Sequence, residues 1–476
     1  MRLDRLLQEI EHLAVSGDPE VEVSGITADS RAVCPGSLFT AIRGSRHDGH
    51  DYIGEAIERG AIAVAGERDL SPDGATYIRI PDGRRALAEL AAAFYGHPTK
   101  RLFTVGITGT KGKTTVAHLA QGVLGQDGTE LSSTIVNNLE RGIANTTPDP
   151  ITVQRIAHRA LRAGKESLVL EVSAHGLSQL RVHGVDFDVA VFTNLSHDHL
   201  DYYRAMEDYL QAKLGLFTEL SRSGTAVVNL DDPYSQEVIE ATEAEVLTYG
   251  LSPEAAIWAD KIRLELDRSR FLVHTPIGEV PIETKLPGEF NVYNILAAIG
   301  AGCAKRLSLQ EIKAGVERVK RVEGRFERLR TVGGFDIVID FAHSPDALEK
   351  MIEALRPHYR RVIAVFGCGG ESDRLKRPLM GRIAGELSDL TIITSDNPKS
   401  EDPREIVAEI EVGIGETGAR YEAIVDRRAA IRRALELAQP GDVVLMAGKG
   451  HERTQVFADR EEEFNDLAFL EGEGVL

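Results

Sequence analysis

The stretch Thr108-Gly109-Thr110-Lys111-Gly112-Lys113-Thr114-Thr115 follows an apolar run at 102–107 and precedes a helical pattern, and it restricts the fold more than any other part of the chain. Glycines let consecutive backbone N–H groups turn toward an anion, and a helix starting just after them adds its positive N-terminal end. Lys113 supplies a point charge, and Thr114 a hydroxyl suited to a magnesium ion on a nucleotide polyphosphate. The broad pattern G-x-x-x-x-G-K-[ST] asks for glycine at position 107, where this chain has Ile107, so the match is to the compact form Gly-Thr-x-Gly-Lys-Thr-Thr. A glycine turn beside a stray surface lysine is the plainer reading. Glycine, lysine and two threonines together at one strand-to-helix junction favour a phosphate cradle formed by Gly109, Thr110, Lys111, Gly112, Lys113, Thr114 and Thr115.

At 476 residues the chain is long for one core, and roughly 150 residues per domain gives about three domains. A net charge of -19 argues against general affinity for nucleic acid or anionic membranes, while leaving room for a local basic site for a phosphorylated substrate. No apolar run is long enough to cross a bilayer. The first ten residues intersperse acids in an amphipathic pattern unlike a signal peptide, so a cytoplasmic location is expected. Cys34, Cys303 and Cys368 are far apart and form no C-x-x-C pair, which points to neither a disulfide framework nor zinc, and they read as small buried residues.

Residues 1–100 form a first unit. Segments 26–31 and 37–42 read as short strands around Pro35-Gly36, 52–59 as a helix ended by Gly60, and 61–65 as a buried strand. Residues 84–94 read as a helix with Leu87, Leu90, Ala91 and Phe94 on one face, stopped by His97-Pro98. In a second unit, 101–326, strand candidates at 102–107, 168–172, 189–193 and 226–230 alternate with helices, which implies a mostly parallel sheet. Residues 257–287 alternate as short strands with a hairpin at Gly278, and 290–304 returns to helix. The third unit, 327–476, has strands at 337–341, 362–366, 390–394 and 443–446 with helices between, a doubly wound pattern. Its Phe366-Gly367-Cys368-Gly369-Gly370 run fails as a dinucleotide fingerprint at Ser372 and reads as a glycine turn. The expected fold class is α/β in three domains: a small N-terminal α/β domain, a central P-loop ATPase domain with a mostly parallel sheet, and a C-terminal Rossmann-like domain.

Ligands on such sheets sit beyond the C-terminal strand ends, so the polar clusters there are the candidates. Glu171, Ser173 and His175 follow one central strand, and Asn194, His197, Asp198, His199 and Asp201 follow the next. Carboxylates and imidazoles facing a phosphate loop suit a divalent metal. Spacing alone reads Lys213, on the helix with Tyr209, Leu210 and Phe217, as a solvated lysine.

The phosphate loop, Glu171-Val-Ser-Ala-His-Gly, Asn194-Leu-Ser-His-Asp-His-Leu-Asp201, Ala212-Lys213, Asn291-Val-Tyr-Asn294, Gly324-Arg325-Phe-Glu, Asp340-Phe-Ala-His343-Ser-Pro-Asp346 and Asp396-Asn-Pro-Lys399 occur in the order found in Mur ligases. The resemblance spans the chain from Thr27-Ala-Asp-Ser-Arg31 to Gly448-Lys-Gly-His-Glu452. It implies a monomer with domains 1–100 for the UDP end of the substrate, 101–326 for ATP and 327–476 for an amino acid. The implied reaction is peptidoglycan precursor synthesis: a carboxylate of UDP-N-acetylmuramoyl-L-alanyl-D-glutamate attacks ATP, and an amino acid's amine then displaces phosphate. By similarity, Thr114, Glu171, His199 and a carbamylated Lys213 hold Mg²⁺, with Lys113, Lys213, His199 and Arg325 catalytic. Asn294, Arg325 and Asp340 join the ATP contacts. Ser30, Asn145, Thr146, Thr147, Ser173 and Arg181 contact the UDP substrate, and Asp396, Asn397, Lys399, Gly448 and Glu452 the amino acid.

The pattern breaks at the amino-acid site. Family members that add meso-diaminopimelate carry Asp-Asn-Pro-Arg and a second arginine in Gly-Gly-Asp-Arg-Asp, whereas this chain has Lys399 and Ser372 at those places. Arginine grips a carboxylate with two parallel donors, lysine with one compact charge, and serine with a neutral hydroxyl. Diaminopimelate held by Lys399 and Arg374 is the favoured reading, and L-lysine or another amino acid is the competing one. A folylpolyglutamate-synthetase-like ligase shares the compact loop but has no need of the 27–31 unit. A non-catalytic nucleotide switch would leave Lys213 and the Asp396 cluster without a task.

Overall fold

Runs of buried β-branched and small residues set the sheets, and polar clusters at their ends set the site. The computed structural model describes residues 1–44, 47–198 and 202–476. His199 and Asp201, both named above, lie outside the described residues.

The first sheet has the strand order Ala14–Ser16, Thr76–Arg79, Ala61–Gly66, Ser37–Thr40, Gly25–Thr27, parallel throughout except for the first pair. The strand expected over 26–31 stops at Thr27. Asp29 captures the Arg31 amide at 2.9 Å and its own amide bonds Thr27 Oγ1 at 3.0 Å, so side chains compete with the sheet ladder and Ser30 opens the 3-10 turn Ser30–Ala32. The helix Gly83–Phe94 begins under Asp82, which accepts from the Arg84 and Arg85 amides, and buries Leu87 and Leu90.

The central sheet has nine strands among the described residues, in the order Gly278–Thr284, Arg268–Thr275, Ile257–Glu265, Glu245–Gly250, Thr225–Asn229, Val189–Phe192, Phe103–Thr108, Ser167–Glu171, Thr129–Ser132. The first three pair antiparallel and the rest are parallel. Thr129–Ser132 and Glu245–Gly250 are strands that periodicity does not reveal, the first short and partly polar at the sheet edge, the second half-buried. The segment over 257–284 extends this sheet with strands longer than expected. Helices cover both faces, with Val116, Leu119 and Ile295 packed on one and Val153, Tyr209 and Phe217 on the other.

In the third sheet the order is Glu327–Arg330, Asp336–Asp340, Val443–Ala447, Val362–Phe366, Leu390–Ile393, Tyr421–Ala423, antiparallel only at the first pair. The last long strand thus lies between two earlier ones. At such a switch point the loops after adjacent strands diverge and leave a crevice, here flanked by Asp340, Gly367 and Gly448. The glycine turn at 367–370 is a packing device: a Cβ on Gly367 would lie 2.2 Å from Thr394 O, and one on Gly370 1.9 Å from Pro398 O. Of the cysteines, Cys368 is buried, Cys303 half-buried and Cys34 exposed, so the expectation of burial fails at Cys34, which sits in a surface turn before Pro35. No helix among the described residues is long and apolar enough to cross a membrane.

Candidate active site

The loop leaving Phe103–Thr108 meets the helix Lys113–Leu124 at the C-terminal edge of the central sheet, where the helix's unbonded amides face outward. Gly109 and Gly112 have φ of 142° and 86°. A Cβ on the first would stand 1.9 Å from Thr193 Oγ1, and one on the second 2.4 Å from Asn294 Oδ1. The loop is tied to the next strand's end: the Thr110 amide donates to Asn194 O at 2.8 Å, the Lys111 amide to Asn194 Oδ1 at 2.9 Å, and Thr193 Oγ1 to Lys111 O at 2.7 Å. Lys113 Nζ donates to Gly109 O at 3.0 Å and Thr110 O at 2.9 Å, so its charge hangs over the loop. Burial pushes its pKa down to about 8, against the pull of Glu171. Thr115 is buried in the first helical turn.

Glu171, buried at the end of its strand, faces this loop. Its Oε2 accepts from Thr114 Oγ1 at 3.2 Å and Thr134 Oγ1 at 3.0 Å, and its Oε1 from the Thr134 amide at 2.8 Å. Burial raises its pKa, with Lys113 and the Thr134 amide opposing. Carboxylate and hydroxyl oxygens together are hard donors that fit magnesium, and the Thr114 and Thr134 hydroxyls already converge on one carboxylate oxygen. Among the described residues there is no group of three or more His, Cys, Asp or Glu able to hold a metal.

Lys213 is where spacing alone misleads. It is 1% exposed, donates to Gly109 O at 2.8 Å, and lies 4.1 Å from the centre of the Tyr209 ring. Its helix, Met206–Thr218, packs Tyr209, Leu210 and Phe217 inward, and Lys213 shares that side. Burial, then the neighbouring Lys113, pull its pKa well below that of an ordinary lysine, toward the neutral amine.

Beside Glu171, Thr147 Oγ1 donates to Glu171 O at 3.0 Å, the Ser173 amide donates to Thr147 Oγ1 at 2.9 Å, and Arg181 Nη1 donates to Thr147 O at 2.8 Å. Thr146 Oγ1 lies 3.1 Å from Thr134 Oγ1, and Asn145 is exposed next to it. Ser30 belongs to the first sheet's surroundings, where its hydroxyl donates to Glu55 Oε2 at 3.3 Å.

From the third unit's side, Arg325 Nη2 donates to Thr114 Oγ1 at 3.3 Å and its guanidinium lies 4.5 Å from the Phe341 ring centre. Asp340 Oδ2 accepts from the Phe326 amide at 2.7 Å, and Asn294 Nδ2 donates to Asn291 Oδ1 at 3.0 Å. One cavity of about 430 Å³ is lined by Lys113, Thr114, Glu171, Asn294, Arg325 and Glu452. At its far end Asn397 Nδ2 donates to Glu452 Oε2 at 2.7 Å. Gly448, at φ 108°, leaves space that a Cβ would close to 2.4 Å from Asp396 Oδ2.

Lys399 is half-buried with φ 52°, its amide fixed to Val456 O at 2.9 Å, and among the described residues its ammonium has no hydrogen bond or ion pair. Ser372 Oγ turns to Gly369 O at 2.7 Å. Arg374 is largely exposed and paired with Glu409.

Sequence reasoning missed two residues here, Thr134 and Lys449. Thr134 gives both amide and hydroxyl to Glu171, and its signal is the helix start Ser133-Thr134. Lys111, already placed in the phosphate loop, pairs its Nζ with Asp198 Oδ2 at 2.7 Å. Lys449, between two glycines after an apolar strand, is fully buried against Asn397 and Glu452.

The chain matches the Mur ligase middle domain over 107–302, the Mur ligase glutamate ligase domain over 324–450 and the Mur ligase family catalytic domain over 22–95. It is 43% identical, over 98% of both chains, to a UDP-N-acetylmuramoyl-L-alanyl-D-glutamate–2,6-diaminopimelate ligase of Geobacillus thermodenitrificans. A solved structure of a ligase with that same activity superposes with a TM-score of 0.69 at 31% identity, covering 99% of this chain and 98% of the other. A Mycobacterium tuberculosis folylpolyglutamate synthase, complexed with ADP and AMPPCP, shares the fold alone, at 19% identity and a TM-score of 0.62 over 75% of this chain and 91% of its own. With its three matched domains and a near full-length relative at this identity, the chain belongs to the Mur ligase family.

Proposed function

We propose that the chain is an ATP-dependent ligase joining meso-diaminopimelate to UDP-N-acetylmuramoyl-L-alanyl-D-glutamate, with residues 1–100 holding the UDP end, 101–326 the ATP and 327–476 the amino acid. The observation that carries the reading is the single cavity that Lys113, Thr114 and Glu171 share with Arg325 and Glu452, where phosphate and amine can meet.

A carboxylate is a poor acyl donor because its oxygen leaves badly. Its oxygen attacks the γ-phosphorus of ATP, the bond from that phosphorus to the bridging oxygen breaks, and ADP leaves. The amine nitrogen then attacks the acyl carbon, phosphate leaves, and the nitrogen gives up a proton. The first step brings two anions together, so Lys113 and Arg325 offset charge at the phosphates while the loop amides orient them. Thr114, Glu171, His199 and a carbamylated Lys213 would hold magnesium, which would supply further positive charge to the polyphosphate. The neutral amine favoured at Lys213 is the form whose lone pair adds to the carbon of carbon dioxide, and loss of one proton from the nitrogen leaves a carbamate whose oxygens can act as donors. Asn294 and Asp340 border the nucleotide, and Asn145, Thr146, Thr147, Ser173 and Arg181 line the path of the muramoyl peptide, with Ser30 toward the uracil.

The distal carboxylate of diaminopimelate meets the unpaired Lys399 ammonium, and Asp396, Asn397 and Glu452 receive its ammonium end beside Gly448. Phosphate release with ATP, Mg²⁺ and the muramoyl dipeptide, scanned over meso-diaminopimelate, L-lysine, D-lysine and ornithine with product mass determined, tests this. Turnover with diaminopimelate is expected. Product with lysine and none with diaminopimelate overturns the choice of amino acid, and no product with any of them overturns the substrate.

A further inference from the structure

Lys449 lies between Gly448 and Gly450, directly after the buried strand Val443–Ala447, and it is 0% exposed. A buried ammonium is costly unless its three protons are all used. Here they are: Nζ donates to Asn397 Oδ1 at 3.0 Å, Glu452 Oε2 at 3.0 Å and Thr454 O at 2.7 Å, with Asp396 Oδ1 at 4.0 Å. Asn397 Nδ2 closes the triangle on Glu452 Oε2, and the Val456 amide holds Asn397 Oδ1 from the other side at 3.1 Å. Gln455 fastens the same loop through Ser395 Oγ at 2.8 Å and Asp396 O at 2.7 Å. The Asp396 loop and Glu452 come from different strand ends, and Lys449 is the charged group that touches both.

We propose that Lys449 is a positioning residue for the amino-acid substrate: it fixes Glu452 and Asn397 in one geometry, so that the Glu452 and Asp396 carboxylates are presented together to an incoming ammonium. This rests on the function proposed above. The groups facing Glu452 are Asp396, Lys449, Arg325 and Arg427. Burial and Asp396 raise the Glu452 pKa, and Lys449 holds it down.

The test compares Lys449→Gln, which keeps a hydrogen-bond donor but loses the charge, with Glu452→Gln and the double variant, in steady-state kinetics of the full chain. Truncating one side of a buried ion pair is expected to raise KM for the amino acid about 30-fold in Lys449→Gln, with KM for ATP unchanged. The acid limb of kcat/KM for the amino acid moves to higher pH in Lys449→Gln, because Glu452 then loses its counter-charge. The double variant is no worse than Glu452→Gln alone, since Lys449 acts through that carboxylate. An unmoved amino-acid KM and acid limb in Lys449→Gln, or additive losses, overturn the proposal. If Glu452→Gln itself leaves the amino-acid KM unchanged, the placement of the amino acid fails instead. Should Lys449→Gln not fold, Lys449→Arg, which keeps the charge, reads the same point: positioning requires a raised amino-acid KM there with ATP binding retained, and an unaltered KM overturns it.

Discussion

Lys213 and Lys449 are both within 1% of complete burial, yet one stands against a carbonyl and a tyrosine face and the other inside a ring of acceptors that includes Glu452. Among the described residues Lys213 has no carboxylate within ion-pair distance, so burial drives it toward the neutral amine. Lys449 sits with its counter-charges and serves as a fixed cation. The two buried lysines therefore differ in what surrounds the nitrogen rather than in how deeply it is buried, and the proposed roles, reactivity for Lys213 and placement for Lys449, follow that difference.

The largest expected effect comes from a pair that carries the fixed-cation logic to its limit. Arg427 and Asp466 are 0% exposed and bonded at 2.9 and 2.7 Å, below the strand that ends at Ala447. Asp466→Ala leaves a buried guanidinium without its counter-charge and should cost about 3–5 kcal/mol of unfolding free energy in denaturant titration. The double replacement Arg427→Met, Asp466→Leu should recover most of that loss, because neither charge is then buried alone. A double variant as unstable as the single one would mean that packing, not charge, dominates there.

Next in size is Lys213→Ala. If its carbamate orients a metal-bound phosphate, kcat should fall by about 100-fold, the upper end for losing a group that supports a metal. ¹³C-labelled bicarbonate should give a carbamate resonance in the parent chain and none in this variant. Lys449→Gln should give no such loss of signal. A carbamate signal that survives Lys213→Ala would break the contrast between the two lysines.

Lys399 offers a smaller effect, being half-buried and paired with nothing among the described residues. Lys399→Met should raise KM for diaminopimelate about tenfold, as expected for losing one charge-assisted hydrogen bond, and leave KM for ATP unchanged. Lys399→Arg should lower it, since the guanidinium grips a carboxylate in two places.

How much of this the sequence discloses depends on what each feature needs. The phosphate loop is legible because Gly109, Gly112, Lys113 and Thr114 are contiguous and their spacing is the chemistry. The three sheets are legible from buried apolar runs, while Thr129–Ser132 and Glu245–Gly250 are not, because a short edge strand and a half-buried strand carry no clear alternation. Lys213 reads as a surface lysine on its own helix, and only the packing of Met206–Thr218 against the loop, some 100 residues away in sequence, places its nitrogen on Gly109 O. Thr134 and Lys449 fail for the same reason: their partners, Glu171 and Asn397, are brought by other strands. Family resemblance supplied Lys213, while Arg374, offered where this chain departs from the family pattern, pairs with Glu409, a contact that is invisible in a motif.

The smallest expected effect tests whether a cation can also join two units. His183 bridges Glu89 of the first unit, Nε2 to Oε1 at 3.2 Å, and Glu219, Nδ1 to Oε1 at 3.4 Å, at the end of the helix that carries Lys213. Glu219 first and then Glu89 raise its pKa above the ordinary 6.5, while burial and Arg85 oppose them. A raised value in the folded state means the protonated form is the one stabilised. The contribution is therefore fully present below about pH 6.5 and is lost as pH rises through the elevated folded value. Glu219 is half exposed, so solvent screening keeps the contribution to about 1 kcal/mol or less. Thermal unfolding of the parent chain should show a small loss of stability over that rise in pH that His183→Gln does not show, and 1 M salt should shrink the difference, since exposed pairs are screened within about 3 Å at that strength. Equal pH dependence in both chains would mean that the first unit is held by its other contacts, such as Thr99 Oγ1 with Asp186 Oδ2 and His158 Nδ1 with Tyr95 O, and that His183 contributes packing alone.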